Sequence, residues 1–323
     1  MEEILKVSNV TKRYQIGKTQ KYIHALDQVS IDVKPKEIYG IVGESGSGKS
    51  TLGKCILGLE HIDSGNVEFL GNKIDHLSIR EMRQVWREMQ MVFQNPFSSF
   101  NPKITIGKSL YRMCKLYHMT KTEAEERIEE LLGLVNLGKE LLRRLPNDLS
   151  GGQLQRFALV RALLNHPRFV IVDEGVSALD ISVQAQVLNL LVDLRNKLGI
   201  SIIFISHDLN VVQQICDRIA VLYLGQIVEV GSVEEVYNHT MHPYTQALIL
   251  SKPKEHPDEQ KSELKLKSEI LHAVDVGKSC RFYGRCPYSE DGVCNQVEPE
   301  LQEYAKDHWS TCLKTIKIGG NEI

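Results

Sequence analysis

Apolar and polar side chains alternate over residues 4–7 and 30–33, the pattern of half-exposed strands in an antiparallel sheet. Residues 37–42 and 168–172 read differently. There Ile38, Tyr39, Ile41 and Val42, and later Phe169, Val170, Ile171 and Val172, form nearly continuous apolar runs, which predict strands buried on both faces of a parallel sheet. Shorter runs of the same kind occupy residues 90–93 and 201–205, and 64–69 reads as a turn followed by a strand. Helical periodicity marks residues 52–59, 80–89, 106–142 and 154–164, and a further helix follows residue 180. Alternating strands and helices of this order predict an α/β fold: a parallel core with an added antiparallel β subdomain and a helical insertion.

The polar residues that end the apolar runs are chemically selective. After the strand at 37–42 come Gly43, Glu44, Ser45, Gly46, Ser47, Gly48, Lys49, Ser50 and Thr51, which fit G-x-x-x-x-G-K-[ST] between a strand and a helix. Glycines let the backbone curl round an anion, converging N–H groups and the helix N-terminus supply positive potential, and Lys49 adds a point charge. Ser50 is the hydroxyl such loops place on Mg2+. Gln94 ends the strand at 90–93, ahead of Asn95 and Pro96, and is placed to ligate Mg2+ or hold water, or simply to bond a loop. Ser150, Gly151, Gly152 and Gln153 open a helix with an N-cap and two glycines, a second anion-binding helix start. Asp173 and Glu174 end the strand at 168–172. In a phosphate-loop protein the first can hold Mg2+ through water and the second can polarise the attacking water, unless the pair only caps a helix. His207 ends the strand at 201–205 and can reach the same phosphate, since open α/β sheets bind ligands at the carboxyl ends of their strands. Tyr14, at the end of the first strand, offers a flat face to an adenine or to its neighbours.

Composition narrows the partners. The chain has 323 residues, 42% hydrophobic and 25% charged, with a net charge of -2, an ordinary soluble composition without the electrostatic footprint of nucleic-acid binding. No apolar run approaches membrane-spanning length, and the first residues lack a signal-peptide pattern, so the chain is expected to be cytosolic and docked to other subunits.

Taken together, Tyr14, the loop at 43–51, Gln94, residues 149–153, Asp173–Glu174, Ser177 to Asp180 and His207 resemble, in order and spacing, the ATP-binding subunit of an ABC transporter. The resemblance covers residues 3–250, with a helical subdomain at about 95–165. Residues 94–102, His242-Pro243-Tyr244-Thr245 and a cysteine-containing tail resemble the oligopeptide/dipeptide permease branch, which includes nickel importers. It implies ATP and Mg2+ as ligands, with Ser50, Gln94 and Asp173 around the metal, Glu174 as general base and His207 on the γ-phosphate. Lys49 and the loop would grip phosphates, Tyr14 and Asp180 would join the nucleotide site, and residues 150–153 would cap the nucleotide of a second ATPase subunit, a related but non-identical chain. Two transmembrane permease subunits and an extracytoplasmic substrate-binding protein complete the implied assembly, at the cytoplasmic face of the membrane. Peptides are the implied solute, with nickel complexes the alternative in the same branch; a soluble ATPase of translation or DNA repair is the alternative of another class. Gly175 departs from the proline the family usually places after its catalytic glutamate.

The remainder, 251–323, reads as a charged linker at 252–267 followed by a small extension. It contains Cys280, Cys286, Cys294 and Cys312, with His308 among them, whereas Cys55, Cys114 and Cys216 are scattered. Disulfides are disfavoured in an intracellular chain, and no two of the four cysteines stand two to four residues apart as a structural zinc site prefers. The wider spacing suits a four-iron iron–sulfur cluster first, zinc second and free thiols third, with Arg281 and Arg285 expected to offset the cluster's charge.

Overall fold

The computed structural model describes residues 3–174, 181–250, 266 and 279–314. Two strands, β1 (Leu5–Gln15) and β2 (Tyr22–Val33), pair antiparallel; with β4 (Ser64–Phe69) and β5 (Asn72–Lys73) they form a four-stranded sheet in the order β2-β1-β4-β5. Among the described residues the larger sheet has eight strands. From one edge inward, β6 (Met89–Val92), β7 (Phe169–Asp173), β8 (Ser201–Ser206) and β3 (Ile38–Val42) lie side by side and parallel, and β9 (Arg218–Tyr223) flanks β3 on the other side.

Every residue of β3, β7 and β8 is buried, because both faces of the sheet are covered. Ile38, Val170, Val172, Ile202 and Phe204 point into one apolar cluster, built with α3 (Ile106–Leu116), α4 (Lys121–Leu134), α5 (Gly151–Leu163), α6 (Ile181–Leu198) and α7 (Leu209–Ile215). Tyr39, Ile41, Phe169, Ile171, Ile203 and Ile205 point into the other, shared with the antiparallel sheet and with α1 (Lys49–Ile56) and α2 (Ile79–Glu88). The period of two along each strand thus assigns alternate residues to opposite cores.

The helical stretch expected over 106–142 resolves into α3 and α4. Thr120 breaks it: its side chain accepts from the Glu123 N–H while the Glu123 carboxylate accepts from the Thr120 N–H, a capping box that starts a new helix. Arg127 on α4 is not part of a solvated charged face; it is buried and donates to the carbonyls of Leu163 (2.6 Å) and Leu164 (3.3 Å) at the end of α5.

The tail rejoins the main sheet. After β10 (Gln226–Ser232), α8 (Val233–Asn238) and α9 (Pro243–Leu250), the strands β11 (Gln302–Ala305) and β12 (His308–Ser310) extend the sheet, β12 pairing with β10. Phe282 and Cys286 are buried in the same apolar cluster as the helical side of the core. The expected linker at 252–267 lies, apart from Leu266, outside the described residues.

Candidate functional site

The strand order β3-β8-β7-β6 brings the four expected strand ends into one row. β3 delivers the loop at 43–51, β8 delivers His207, β7 delivers Asp173 and Glu174, and β6 leads to Gln94. Two glycines are fixed by space as well as by conformation. A Cβ on Gly43 would lie 2.1 Å from the Leu222 carbonyl oxygen, and Gly48, at φ 108°, would put one 2.2 Å from that of Ala25. Any side chain at either position would push the loop off the sheet.

Within the loop, Lys49 Nζ donates to the carbonyl oxygens of Gly43 (2.8 Å) and Glu44 (2.9 Å). Burial lowers the Lys49 pKa, while Glu174, Asp173 and Glu44 act in the opposite direction. Ser50 Oγ donates to Asp173 Oδ1 at 3.0 Å, so the two expected Mg2+ ligands already touch. Burial raises the Asp173 pKa, opposed by that hydrogen bond. Glu174 is held between its neighbours: Gln94 Nε2 donates to one carboxylate oxygen, and His207 Nδ1 lies 3.4 Å from the other. Ser50 and Asp173 supply adjacent oxygen ligands of the kind a hard divalent cation takes.

Tyr14 is partly exposed at the end of β1, its hydroxyl beside Thr51 of α1 and Glu60. Ser45 and Gly46 are exposed, whereas Ser47 is buried. Residues 150–153 form the N-terminus of α5, where Ser150 Oγ accepts from the Gln153 N–H and Gln153 Oε1 accepts from the Ser150 N–H. This helix packs on β6, α3, α4 and α6, and Ser150 and Gly151 face solvent. Asp180, Ser177 and Gly175 lie outside the described residues.

The tail departs from expectation in its arginines. They do not serve the cysteines' charge. Arg285 forms a two-pronged ion pair with Glu44 of the loop, and Arg281 pairs with Asp27 and the Leu224 carbonyl. The tail is therefore in direct contact with the phosphate loop. Cys280, Cys286, Cys294 and Cys312 line one small cavity with His242 and Phe282. Among the described residues no group of three or more His, Cys, Asp or Glu side chains is gathered to hold a metal ion, so the geometry supports neither the iron–sulfur cluster nor the zinc expected there. His308, which lies among the cysteines in the sequence, is committed elsewhere: its Nε2 lies 2.9 Å from Glu229 Oε1, and both side chains are fully buried. The side-chain roles of Glu44, Tyr244 and Arg285 were not foreseen. The only signals were an arginine next to Cys286 and an aromatic in His242-Pro243-Tyr244-Thr245.

Comparison with known proteins agrees with this geometry. Residues 26–177 match the ABC transporter family and residues 228–294 the oligopeptide/dipeptide transporter C-terminal region. The chain is 41% identical over 298 residues to the oligopeptide transport ATP-binding protein OppF of Escherichia coli, covering 91% of this chain and 89% of that one. It is 40% identical to AppF of Bacillus subtilis, an oligopeptide transport ATP-binding protein, over 96% of this chain and 97% of that one. Among solved structures, CbiO1 of Clostridium perfringens, part of an ABC transporter complex, superposes with a TM-score of 0.66 at 27% identity, covering 73% of this chain and 91% of that one. A cassette solved as a dimer after hydrolysis, with ADP and Pi bound, gives 0.64 at 31% identity, over 71% of this chain and 98% of that one. A phosphate loop, two carboxylates and a histidine gathered at adjoining strand ends, with relatives matched over nearly the whole length, make this chain a member of the ATP-hydrolysing subunits of ABC transporters, in the branch that carries the oligopeptide/dipeptide C-terminal region.

Proposed function

We propose that this ATPase drives import of peptides through a membrane, as one of two related, non-identical motor subunits beneath two transmembrane permease subunits, with an extracytoplasmic binding protein supplying the solute. The observation that carries the motor reading is the row of strand ends at β3, β8, β7 and β6. Peptide as the solute rests on the relatives and on the C-terminal region.

In this reading the loop N–H groups and Lys49 take the ATP phosphates, Lys49 exchanging its two carbonyl partners for phosphate oxygens, and Tyr14 stacks on the adenine. Ser50, Asp173 and Gln94 would hold Mg2+, which offsets phosphate charge when bound. Glu174 accepts the proton of the attacking water, and Gln94 and His207 fix the orientation of its carboxylate. His207 also contacts the γ-phosphate.

Peripheral attachment is consistent with the absence, among the described residues, of any helix long and apolar enough to cross a membrane. A groove lined by apolar Leu59, Trp86, Met113 and Leu116 and by basic Arg83, Arg87 and Lys115, with Leu116 64% exposed, suits a docked permease segment.

The solvent-facing Ser150 and Gly151 suit a role on the partner's nucleotide. Ser150→Arg is accordingly expected to abolish most turnover in the assembled complex while ATP binding to this chain's own loop stays near its original affinity. Loss of binding at this chain's loop would place the signature in its own site.

The four cysteines are read as ligands of a four-iron cluster; what supports the reading is their spacing and the one small cavity they line together. Protein purified anaerobically should be brown and contain iron and inorganic sulfide in equal amounts, and Cys286→Ser should bleach it. Colourless protein with stoichiometric zinc would overturn this reading.

A further inference from the structure

Glu44, the second residue of the phosphate loop, is held at three points. Its N–H donates to the Tyr244 hydroxyl (2.8 Å), its carbonyl oxygen accepts from Lys49 Nζ (2.9 Å), and its carboxylate receives both arms of Arg285 at 2.7 and 3.0 Å. Two of these partners lie far along the chain, on α9 and in the cysteine turn. Arg285 is itself fixed. Its side chain is only 5% exposed, Nη1 reaches the Tyr223 hydroxyl, and the guanidinium sits 5.7 Å from the Tyr223 ring and 5.8 Å from that of Phe282. Tyr223, Tyr244 and Phe282 pack against one another with centroids 4.5–5.6 Å apart, so the aromatic cluster that carries the tyrosine also carries the arginine.

A carboxylate beside a triphosphate site repels the ligand unless it is neutralised, and a loop whose N–H groups must converge on an anion works best when its backbone is held beforehand. Arg285 meets both needs. Its planar fork matches the carboxylate, and its burial keeps the pair from being screened away by water and salt. Arg281 fastens the same turn from the other side, onto Asp27 and Leu224, and the neighbouring Gly225 donates its N–H to the Ser47 carbonyl of the loop at 2.9 Å.

We infer that Arg285 is a positioning residue for the ATP site: the cysteine turn reaches across the molecule to neutralise Glu44 and set the entry of the phosphate loop. The inference rests on the ATPase reading and is independent of which solute is carried or what the cysteines hold.

The test is a double-substitution cycle in the full-length chain within the assembled transporter, reading kcat and KM for Mg-ATP together with thermal unfolding. Arg285→Gln is expected to raise KM about tenfold with kcat changed far less, because the unpaired Glu44 charge weakens binding and leaves Glu174 and His207 in place. Arg285→Lys should recover part of the loss, keeping the charge and losing the fork. Adding Glu44→Gln to Arg285→Gln should bring KM back toward its original value, since no carboxylate then remains unpaired. If Arg285→Gln leaves KM unchanged in protein that unfolds at the original temperature, the inference fails. It fails equally if the double variant has a KM as high as Arg285→Gln alone and both variants unfold at a lower temperature than the original, which would assign the arginine to folding of the tail.

Discussion

Replacing Glu174 by Gln should leave ATP binding intact and lower turnover about a hundred- to ten-thousandfold, the range typical of losing a general base. The side chain sits at the end of β7, 14% exposed, with Gln94 on one carboxylate oxygen and His207 on the other. Its backbone is in the left-handed region at φ 44°, which costs a non-glycine residue roughly 1–2 kcal/mol and persists because the Glu174 N–H is tied to the Ile205 carbonyl at 2.9 Å. Gln retains the size and can still accept a hydrogen bond, so the loop, Lys49 and the Ser50–Asp173 pair have no reason to move. It cannot take a proton from water. Single-turnover and steady-state ATPase rates of the purified complex, read beside nucleotide affinity, separate the two effects. Hydrolysis at the original rate would remove Glu174 from the role of base.

The second large effect is expected far from the nucleotide. His308→Ala should destabilise the protein by about 3–5 kcal/mol, the range for stripping one partner from a buried ion-pairing group. Glu229 is fully buried on β10, and its carboxylate accepts from the N–H groups of Met241 (2.8 Å) and His242 (3.0 Å) as well as facing His308 Nε2. Removing the imidazole leaves a cavity and withdraws the side-chain partner of that carboxylate. Because His308 opens β12, which pairs with β10, the strand should loosen first, seen as faster proteolysis within residues 302–310 and a lower unfolding temperature. His308→Gln, which keeps a donor, should recover part of the loss. An unchanged unfolding temperature in His308→Ala would show that the backbone N–H partners alone satisfy Glu229.

How much of this was legible along the chain depends on the range of the interaction involved. Apolar runs ending in Lys49's loop, Gln94, Asp173–Glu174 and His207 announce themselves locally, because a strand buried on both faces can carry polar residues only at its end. The topology rule for open sheets then predicts that these ends meet, and β3, β8, β7 and β6 lie in that order. Thr120 and Glu123 carried an equally local signal, a capping box, that divides the helical stretch at 106–142. Arg285 and Glu44 had no such signal. They are 241 positions apart, and their meeting depends on the tail returning to the sheet through β12 and on an aromatic cluster assembled from three elements. A separation of 79 positions likewise hid the commitment of His308 to Glu229, which leaves it looking in the sequence like a spare metal ligand beside four cysteines. Burial decided both cases, and burial of this kind is a property of packing rather than of spacing.

Transport itself is the most direct test of the account. With the chain assembled alongside its partner ATPase and permease subunits in sealed vesicles, and a peptide-binding protein on the opposite face, accumulation of a radiolabelled oligopeptide should require Mg-ATP on the motor side. It should stop when Lys49 is replaced by Ala. Peptide accumulation that continues at the original rate without ATP, or ATP hydrolysis by the intact complex with no uptake of any peptide supplied, would contradict the assignment of this chain as the motor of a peptide importer.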